Sequence, residues 1–506
     1  MDPLLLEKHL LAVPREYDSR RLGHRHGLLA LTFLGMVFYY ASRIALSISM
    51  VAMTVPLVRN TTFISSSTDV CPNPTATALN ETGVESIIND SLPIQNVFSG
   101  YVESRKFNWD SETQGILHGS FFYGYLISQV PGGWIAHKFG AKKPFALCML
   151  LTGILTLLSP LAVTTGGVWL FFAVRFTIGI FQGIIWPTVA ALWSPWAPPL
   201  ERGRLVSVSY SGTQLGTVFG MYVAGLLAHK FNWEAIFYCF GTLCIVWAVL
   251  WSFIAYDTPQ QHPWISAEER EYITSSLSLY REKGLKLKTP RSVPWLKILT
   301  TLPLLVTFIV EFCYQYGFFT IVANLPTYLS NIHHFSLQSN GLISAMPYLV
   351  RWILTICSAN LADWILVKKF CSRTTLRKSM SVFAFVTCGL CLVGVAYSGC
   401  NSTLAIALFT IGVGCSGAVF AGHVVAYSDM SVMYSSVLTG LGNGAGVISG
   451  IVAPYVVGVL TKGPNGQSIG NWQSVFLISA GLYALASVLY GGFATAKRQP
   501  WDKPTL

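Results

Sequence analysis

Hydrophobic residues in this chain come in twelve long runs separated by polar or Gly/Pro-containing links. The runs lie near 27–56, 113–136, 144–164, 166–192, 205–229, 235–256, 301–329, 340–366, 379–398, 402–427, 435–460 and 472–495. About 20 apolar residues at 1.5 Å each cross the hydrocarbon core of a bilayer. Each run therefore predicts a transmembrane helix, and the set predicts an all-α integral membrane protein. Two polar segments are long, 57–112 and 257–300, and the second divides the spans six and six. The expected organisation is an N-terminal tail over 1–26, a six-helix half over 27–256 with its loop 57–112, a central loop over 257–300, a second half over 301–495 and a tail over 496–506.

The polar links fix a topology. Basic residues collect in the N-terminal tail (Lys8, Arg15, Arg20, Arg21, Arg25), after span 2 (Lys138, Lys142, Lys143), in the central loop (Arg270, Arg281, Lys283, Lys286, Lys288, Arg291, Lys297) and after span 8 (Lys368, Lys369, Arg373, Arg377, Lys378). All fall on one side if both termini are cytosolic, as the positive-inside rule requires. The loop 57–112 then faces the lumen or the exterior. It carries the sequons at Asn60, Asn80 and Asn89, which accept glycans only on that side. Asn401 begins a fourth sequon too close to spans 9 and 10 for a glycan to be expected.

Composition agrees with a membrane protein: 52% hydrophobic, 11% charged and mean hydropathy +0.52, against about 25% charged residues in soluble domains. The net charge of +11 is explained by the basic cytosolic links, not by nucleic-acid binding. No cleavable signal peptide is read in the first 26 residues, which are polar and basic beyond a short leucine cluster. Cys148, Cys239, Cys244, Cys313, Cys357, Cys388, Cys391 and Cys415 lie in apolar runs and are expected to pack as small hydrophobes. Cys71 and Cys400 fall on the non-cytosolic face, where a bridge between them and two free thiols are both open.

Two residues stand against the apolar pattern. Arg43 and Arg175 lie near the middles of spans 1 and 4, with no carboxylate within a turn or two. A guanidinium at mid-bilayer costs roughly 2.5–3.5 kcal/mol on insertion scales and cannot escape by deprotonating. The simplest missing partner is an anion that comes and goes; backbone carbonyls or a distant helix are the alternative. A weak internal repeat points the same way. Gly132-Gly133-Trp134-Ile135-Ala136-His137-Lys138 between spans 2 and 3 is echoed by Asn360-Leu361-Ala362-Asp363-Trp364 with Lys368-Lys369 between spans 8 and 9. Pseudo-symmetric halves with a midplane site between them are how alternating-access transporters are built.

Longer motifs carry a resemblance. Phe107-Asn108-Trp109-Asp110-Ser111-Glu112-Thr113-Gln114-Gly115, His118-Gly119-Ser120-Phe121-Phe122-Tyr123-Gly124-Tyr125, Gln129-Val130-Pro131-Gly132-Gly133 and Trp196-Ala197-Pro198-Pro199-Leu200-Glu201-Arg202 resemble the anion:cation symporter family of the major facilitator superfamily. That family contains sialin, the vesicular glutamate transporters and the type I sodium–phosphate cotransporters. The resemblance runs from Arg43 to Trp501. It implies transport of a small organic or inorganic anion driven by protons, sodium or membrane potential, with no further cofactor. Arg43 and Arg175 match arginines the family uses for anionic substrates, and His118 matches a span-2 histidine of the glutamate transporters. The sequence departs from the pattern in span 4. Gln182 and Ile178 stand where proton-coupled members carry glutamates. Tyr314 stands where the glutamate transporters carry a third arginine, so a monoanion is expected over a dicarboxylate.

Other residues carry two readings. Glu311 is the only acidic residue well inside span 7. It is either the carrier of a coupling proton that Gln182 cannot hold, or a carboxylate near a helix end that meets water. His118 either titrates against the substrate or packs at the far end of span 2. Tyr123, Tyr125 and Tyr314 are candidate hydrogen-bond donors to an anion. His423 reads as a lone structural histidine, and Arg351 as a side chain snorkelling to headgroups. The run Gly440–Gly446 reads as close packing of span 11, not as a phosphate loop. Glu201, Arg202 and Arg204, with Asp363 at the matching place in the second half, are read as a conformational latch. No nucleophile elbow, metal-ligand pair or nucleotide fingerprint indicates an enzyme, and no filter segment indicates a channel. A sodium-dependent phosphate or urate transporter, or more remotely an anion channel or a non-transporting sensor, stands as the alternative. Leucine clusters at Leu4–Leu6 and Leu10–Leu11 beside acidic residues suit sorting to a lysosome or related vesicle, with the plasma membrane as alternative. A monomer is expected.

Overall fold

A computed structural model of the chain describes residues 23–55, 71, 105–198, 201–283, 294–431, 434–463 and 466–502. Among these the regular structure is helical, apart from an isolated bridge between Thr54 and Phe107. The N-terminal half consists of α1 (His24–Met53), α2 (Ser111–Phe139), α3 (Lys142–Trp196), α4 (Arg202–Lys230) and α5 (Trp233–Ile254). The central segment forms α6 (Ala267–Lys283) and α7 (Trp295–Thr300). The C-terminal half consists of α8 (Leu302–Asn331), α9 (Leu337–Val367), α10 (Arg373–Ala396), α11 (Ser402–Cys415), α12 (His423–Met430), α13 (Ser435–Leu460) and α14 (Ile469–Phe493).

These helices account for the twelve runs. Runs three and four form the 55-residue α3, which turns at Gly167 with φ 60° and ψ −148°, backbone angles open essentially to glycine alone. Run ten is α11 and α12 joined by a short 3-10 turn over Ser416–Phe420. Side-chain caps start several spans where the chain leaves a loop. Asp110 accepts from the Thr113 amide at 3.0 Å, Asn232 from Ala235 at 3.0 Å and Asn401 from Leu404 at 3.0 Å. Each satisfies an amide that the helix itself leaves free.

Inside the N-terminal half, tryptophan indoles tie helices together while burying large apolar rings. Trp247 donates to the Leu31 carbonyl at 2.9 Å, Trp193 to Ser209 Oγ at 2.9 Å and Trp251 to the Lys142 carbonyl at 3.0 Å. The central loop departs from its sequence reading, because part of it is a packed helix. On α6, Ile273 is fully buried and Glu269 is 1% exposed. The Glu269 carboxylate accepts from the His24 and Arg25 amides at 2.8 and 3.2 Å and from Arg25 Nη1 at 3.1 Å. An anion thus sits at the N-terminus of α1, where the free amides and helix dipole favour it.

The halves meet through α2 against α13, α4 against α9 and α1 against α8. A Cβ added to Gly225 on α4 would lie 2.8 Å from the Gly341 Cα on α9, so the two backbones approach as small-residue helix pairs do. Near the end that carries Cys71, Lys462 pairs with Glu112 at 2.5 Å and with Asp110 at 3.7 Å, and Gln467 donates to Ser111 Oγ at 3.1 Å. Closer to the middle, Ser47 donates to the Val322 carbonyl at 3.0 Å and Asn443 to Gln129 at 3.0 Å. Thr355 there donates to Gln214 at 3.4 Å. The Lys462, Gln467 and Ser47 contacts lie between the Cys71 end and mid-helix, whereas Asn443–Gln129 and Thr355–Gln214 lie just past mid-helix toward the end bearing the termini. At the opposite end each half is tied to its own segments: Arg25 to Glu201 and Glu269, and Arg377 to Asp429 at 2.9 Å. The ion pair and the close glycine contact between the halves thus gather at the Cys71 end.

A disulfide joins Cys71 to Cys400 across 329 residues, so the long loop of the first half is pinned to the second half. The other cysteines are free, but not all pack as small hydrophobes, since Cys357 is exposed. The sequons at Asn60, Asn80 and Asn89, and the leucine clusters of the N-terminal tail, lie outside the described residues. Glycosidase is expected to increase the gel mobility of the full-length protein, and the shift should vanish when all three asparagines are changed to Gln. A residual shift in the triple variant would contradict the topology.

Candidate substrate site

The centre of the N-terminal half is built from one face each of α1, α2 and α3. On α2, His118, Phe121, Phe122 and Tyr125 recur at helical spacing and are all buried. Their rings enclose Arg43 of α1. Its guanidinium carbon lies 4.5 Å from the Phe121 centroid, 4.7 Å from Phe122, 5.3 Å from Tyr125 and 5.1 Å from Tyr40. Phe319 of α8, in the other half, closes the ring at 5.6 Å. The faces of these rings stabilise a cation without neutralising it.

Arg175 of α3 joins the same place. It lies 5.7 Å from the Phe121 centroid, and its Nη2 donates to the Arg43 carbonyl at 3.5 Å, a long contact. Arg175 is 3% exposed and its Nε has no acceptor. Two turns on, Gln182 donates to Ser42 Oγ at 3.1 Å and leaves its carbonyl oxygen unpartnered. His118 is buried close enough to Arg175 for their charges to interact. Of the five buried arginines among the described residues, Arg25 and Arg377 have carboxylate partners, whereas Arg43, Arg175 and Arg351 do not.

A second polar cluster lies in the C-terminal half. Glu311 is buried against His423, with Oε2 2.8 Å from Nε2, and its other oxygen accepts from Gln315 at 3.0 Å. His423 is fully buried, and its ring lies 5.4 Å from that of Tyr314. Tyr314 Oη accepts from Arg351 Nη2 at 2.7 Å. His423 is thus a hydrogen-bond partner of Glu311 and not a lone histidine, and Arg351 is buried among rings instead of snorkelling. Snorkelling needs a path to the surface, and the rings of Phe318 and Phe420 block it at 4.3 and 5.6 Å.

Other sequence expectations separate on the structure. Tyr123 is 43% exposed on the outer face of α2, beside Phe172, and does not join the site. Glu201 pairs with Arg25 and accepts from Tyr272 Oη at 3.1 Å, so its partner is in span 1 and not at Arg204, which is exposed. The side chain of Arg202 lies outside the described residues, and Asp363 is exposed. Among the described residues the ion pair that crosses between the halves is instead Lys462 with Glu112 and Asp110. A hydrogen bond from Thr113 holds the Asp110 carboxyl below the usual carboxylate range, so it stays ionised further into acid. The glycines of α13 do not all serve packing: a Cβ at Gly440 or Gly444 would meet nothing within 4 Å. Gly442 and Gly446 face the second cluster, where a Cβ would sit 2.2 Å from Tyr427 Oη and 2.9 Å from Gln315 Cγ respectively.

Residues 32–454 match the model of the Major Facilitator Superfamily. The chain belongs to this superfamily. Within it, human sialin is 36% identical over 477 residues, covering 94% of this chain and 90% of sialin. Human vesicular glutamate transporter 2 is 37% identical over 402 residues, covering 79% and 68%. The inward-open structure of the xylose transporter XylE from E. coli superposes with a TM-score of 0.64 at 13% identity, covering 93% of this chain and 96% of that one, a likeness of fold alone. As a member of the sialin and vesicular glutamate transporter group of this superfamily, the protein is a membrane transporter and not an enzyme. The aromatic cage, His423 and Glu269 were not found from sequence. Arg351 could have been, because a charge inside an apolar run is the same signal that singled out Arg43.

Proposed function

We propose that this protein is a proton-coupled secondary transporter of organic anions that works by alternating access, binding its substrate at Arg43 and Arg175. The single observation that carries this reading is two guanidiniums buried at mid-helix with no carboxylate partner, walled by rings from both halves. Such a site lacks a counter-charge until an anion enters. With the termini cytosolic, the Cys71 end, where Lys462 joins the halves, is lumenal. The Lys462 pair then belongs to the lumenal gate, and a lysosomal or vesicular membrane is the expected location.

The coupling proton is assigned to Glu311. Gln182 cannot take one up in the physiological range, and its amide is engaged with Ser42. Glu311 instead faces His423, Gln315, Tyr314 and Tyr427, with Arg351 one tyrosine away. Protonating it removes the only buried carboxylate that faces this cluster among the described residues. Proteoliposome uptake of sialic acid, glutamate, urate and phosphate, at two pH values with and without sodium, tests the reading. An organic anion accumulated under an inward proton gradient without sodium is the expected result. Phosphate uptake that stops without sodium and ignores pH would replace this reading with a sodium-coupled one.

A further inference from the structure

Arg351 remains unexplained by a site made of Arg43 and Arg175. It is 6% exposed, and of its five N–H donors the Nη2 meets the Tyr314 oxygen while Nε has no acceptor. A neutral phenol supplies one hydrogen bond and no counter-charge. The guanidinium lies 4.3 Å over Phe318, whose ring centroid is 5.5 Å from that of Phe319, the C-terminal wall of the Arg43 cage. The two cations therefore flank adjacent rings of one helix. One turn further on, Thr355 reaches Gln214 of the other half, so this stretch of α9 lies at the interface between the halves. One turn back, the buried Tyr348 hydroxyl is also unpartnered.

The charge balance points the same way. Arg43, Arg175 and Arg351 place three guanidiniums against the Glu311 carboxylate, the buried acid among the described residues that no arginine pairs with, a surplus of two positive charges among these four side chains. A bound monoanion leaves one charge uncompensated in a low-dielectric interior; a dianion removes both.

We propose that Arg351, steadied by Tyr314, is a second anion subsite on the C-terminal half, and that the transported anion carries two separated acidic groups, one at Arg43 and Arg175 and one at Arg351. The proposal rests on the anion-site reading above and reverses the expectation of a monoanion. That expectation took Tyr314 to leave the second half without a guanidinium, whereas α9 supplies one to the Tyr314 hydroxyl. Closing the halves around such a substrate would bring its two ends to opposite bundles, so that binding and closure reinforce each other.

The test uses the full-length protein in nanodiscs, with glutarate and adipate and their monomethyl esters as probes in calorimetric binding and in competition against uptake. The better diacid should bind the wild type at least about tenfold tighter than its ester, as a charge-assisted hydrogen-bonded contact requires. In Arg351→Gln that preference should fall below about twofold, through loss of diacid affinity with ester affinity unchanged. Arg351→Lys keeps the charge without the planar fork and should retain part of the preference; it also serves if the glutamine variant does not fold. A wild-type protein that binds the diacid no better than its ester overturns the proposal. So does a preference that survives both Arg351 variants. Arg175→Gln separates the two readings. It should weaken diacid and ester alike, and unchanged binding of both would overturn the anion site itself and not merely its second subsite.

Discussion

Arg175→Ala is expected to abolish substrate accumulation while leaving the protein folded and correctly sorted. Truncating one member of a buried, hydrogen-bonded charge pair costs roughly 2–5 kcal/mol, so affinity should fall about 30-fold to several thousand-fold. The effect on the empty protein has the opposite sign. Arg175 has no carboxylate partner and an unpaired Nε, so removing it also removes a desolvated charge. The melting temperature without substrate should hold or rise, and the stabilisation that substrate gives the wild type should be lost. Arg43→Ala should share the transport defect, but with some loss of stability, because five aromatic rings pack around its guanidinium. Lysine should rescue poorly at either position, since it lacks the planar fork that engages a carboxylate through two bonds. Substrate binding unchanged in both alanine variants would remove the basis for an anion site.

Glu311→Gln should separate coupling from translocation. The amide has the shape of the protonated acid and can hydrogen-bond to His423 as the neutral acid does, but it cannot release a proton. Where the wild type accumulates substrate more steeply as the proton-donating side is acidified, the variant should show a flat pH profile and no accumulation against a gradient. Counterflow of labelled against unlabelled substrate needs no net proton movement and should persist. His423→Asn, which removes the imidazole hydrogen-bonded to Glu311 but leaves the carboxyl, should shift the pH profile instead of flattening it. Steep proton-driven accumulation that survives Glu311→Gln would show that the carrier lies elsewhere, with His118 the next group to test.

Much of this was legible in the chain because a bilayer imposes simple rules. Hydrocarbon leaves no alternative to helices for an apolar run, so the twelve runs set the order of the spans, while the packed helix of the central loop lay outside that pattern. The unfavourable insertion of a guanidinium singled out Arg43 and Arg175 without any knowledge of their surroundings. Tertiary structure alone decided which charges meet. Glu311 and His423 lie 112 residues apart and Arg351 and Tyr314 lie 37 apart, and no periodicity within one helix relates them. Glu201 turned to Arg25 and not to its neighbours Arg202 and Arg204, because the start of α1 and the packed helix α6 bring a deeply buried guanidinium to it. Tyr123 and Tyr125 look alike in sequence, yet about 200° of helical rotation separates them, so one faces outward while the other borders Arg43. Sequence thus determines which residues cannot rest in lipid; the packing of helices from two halves determines what each of them finds instead.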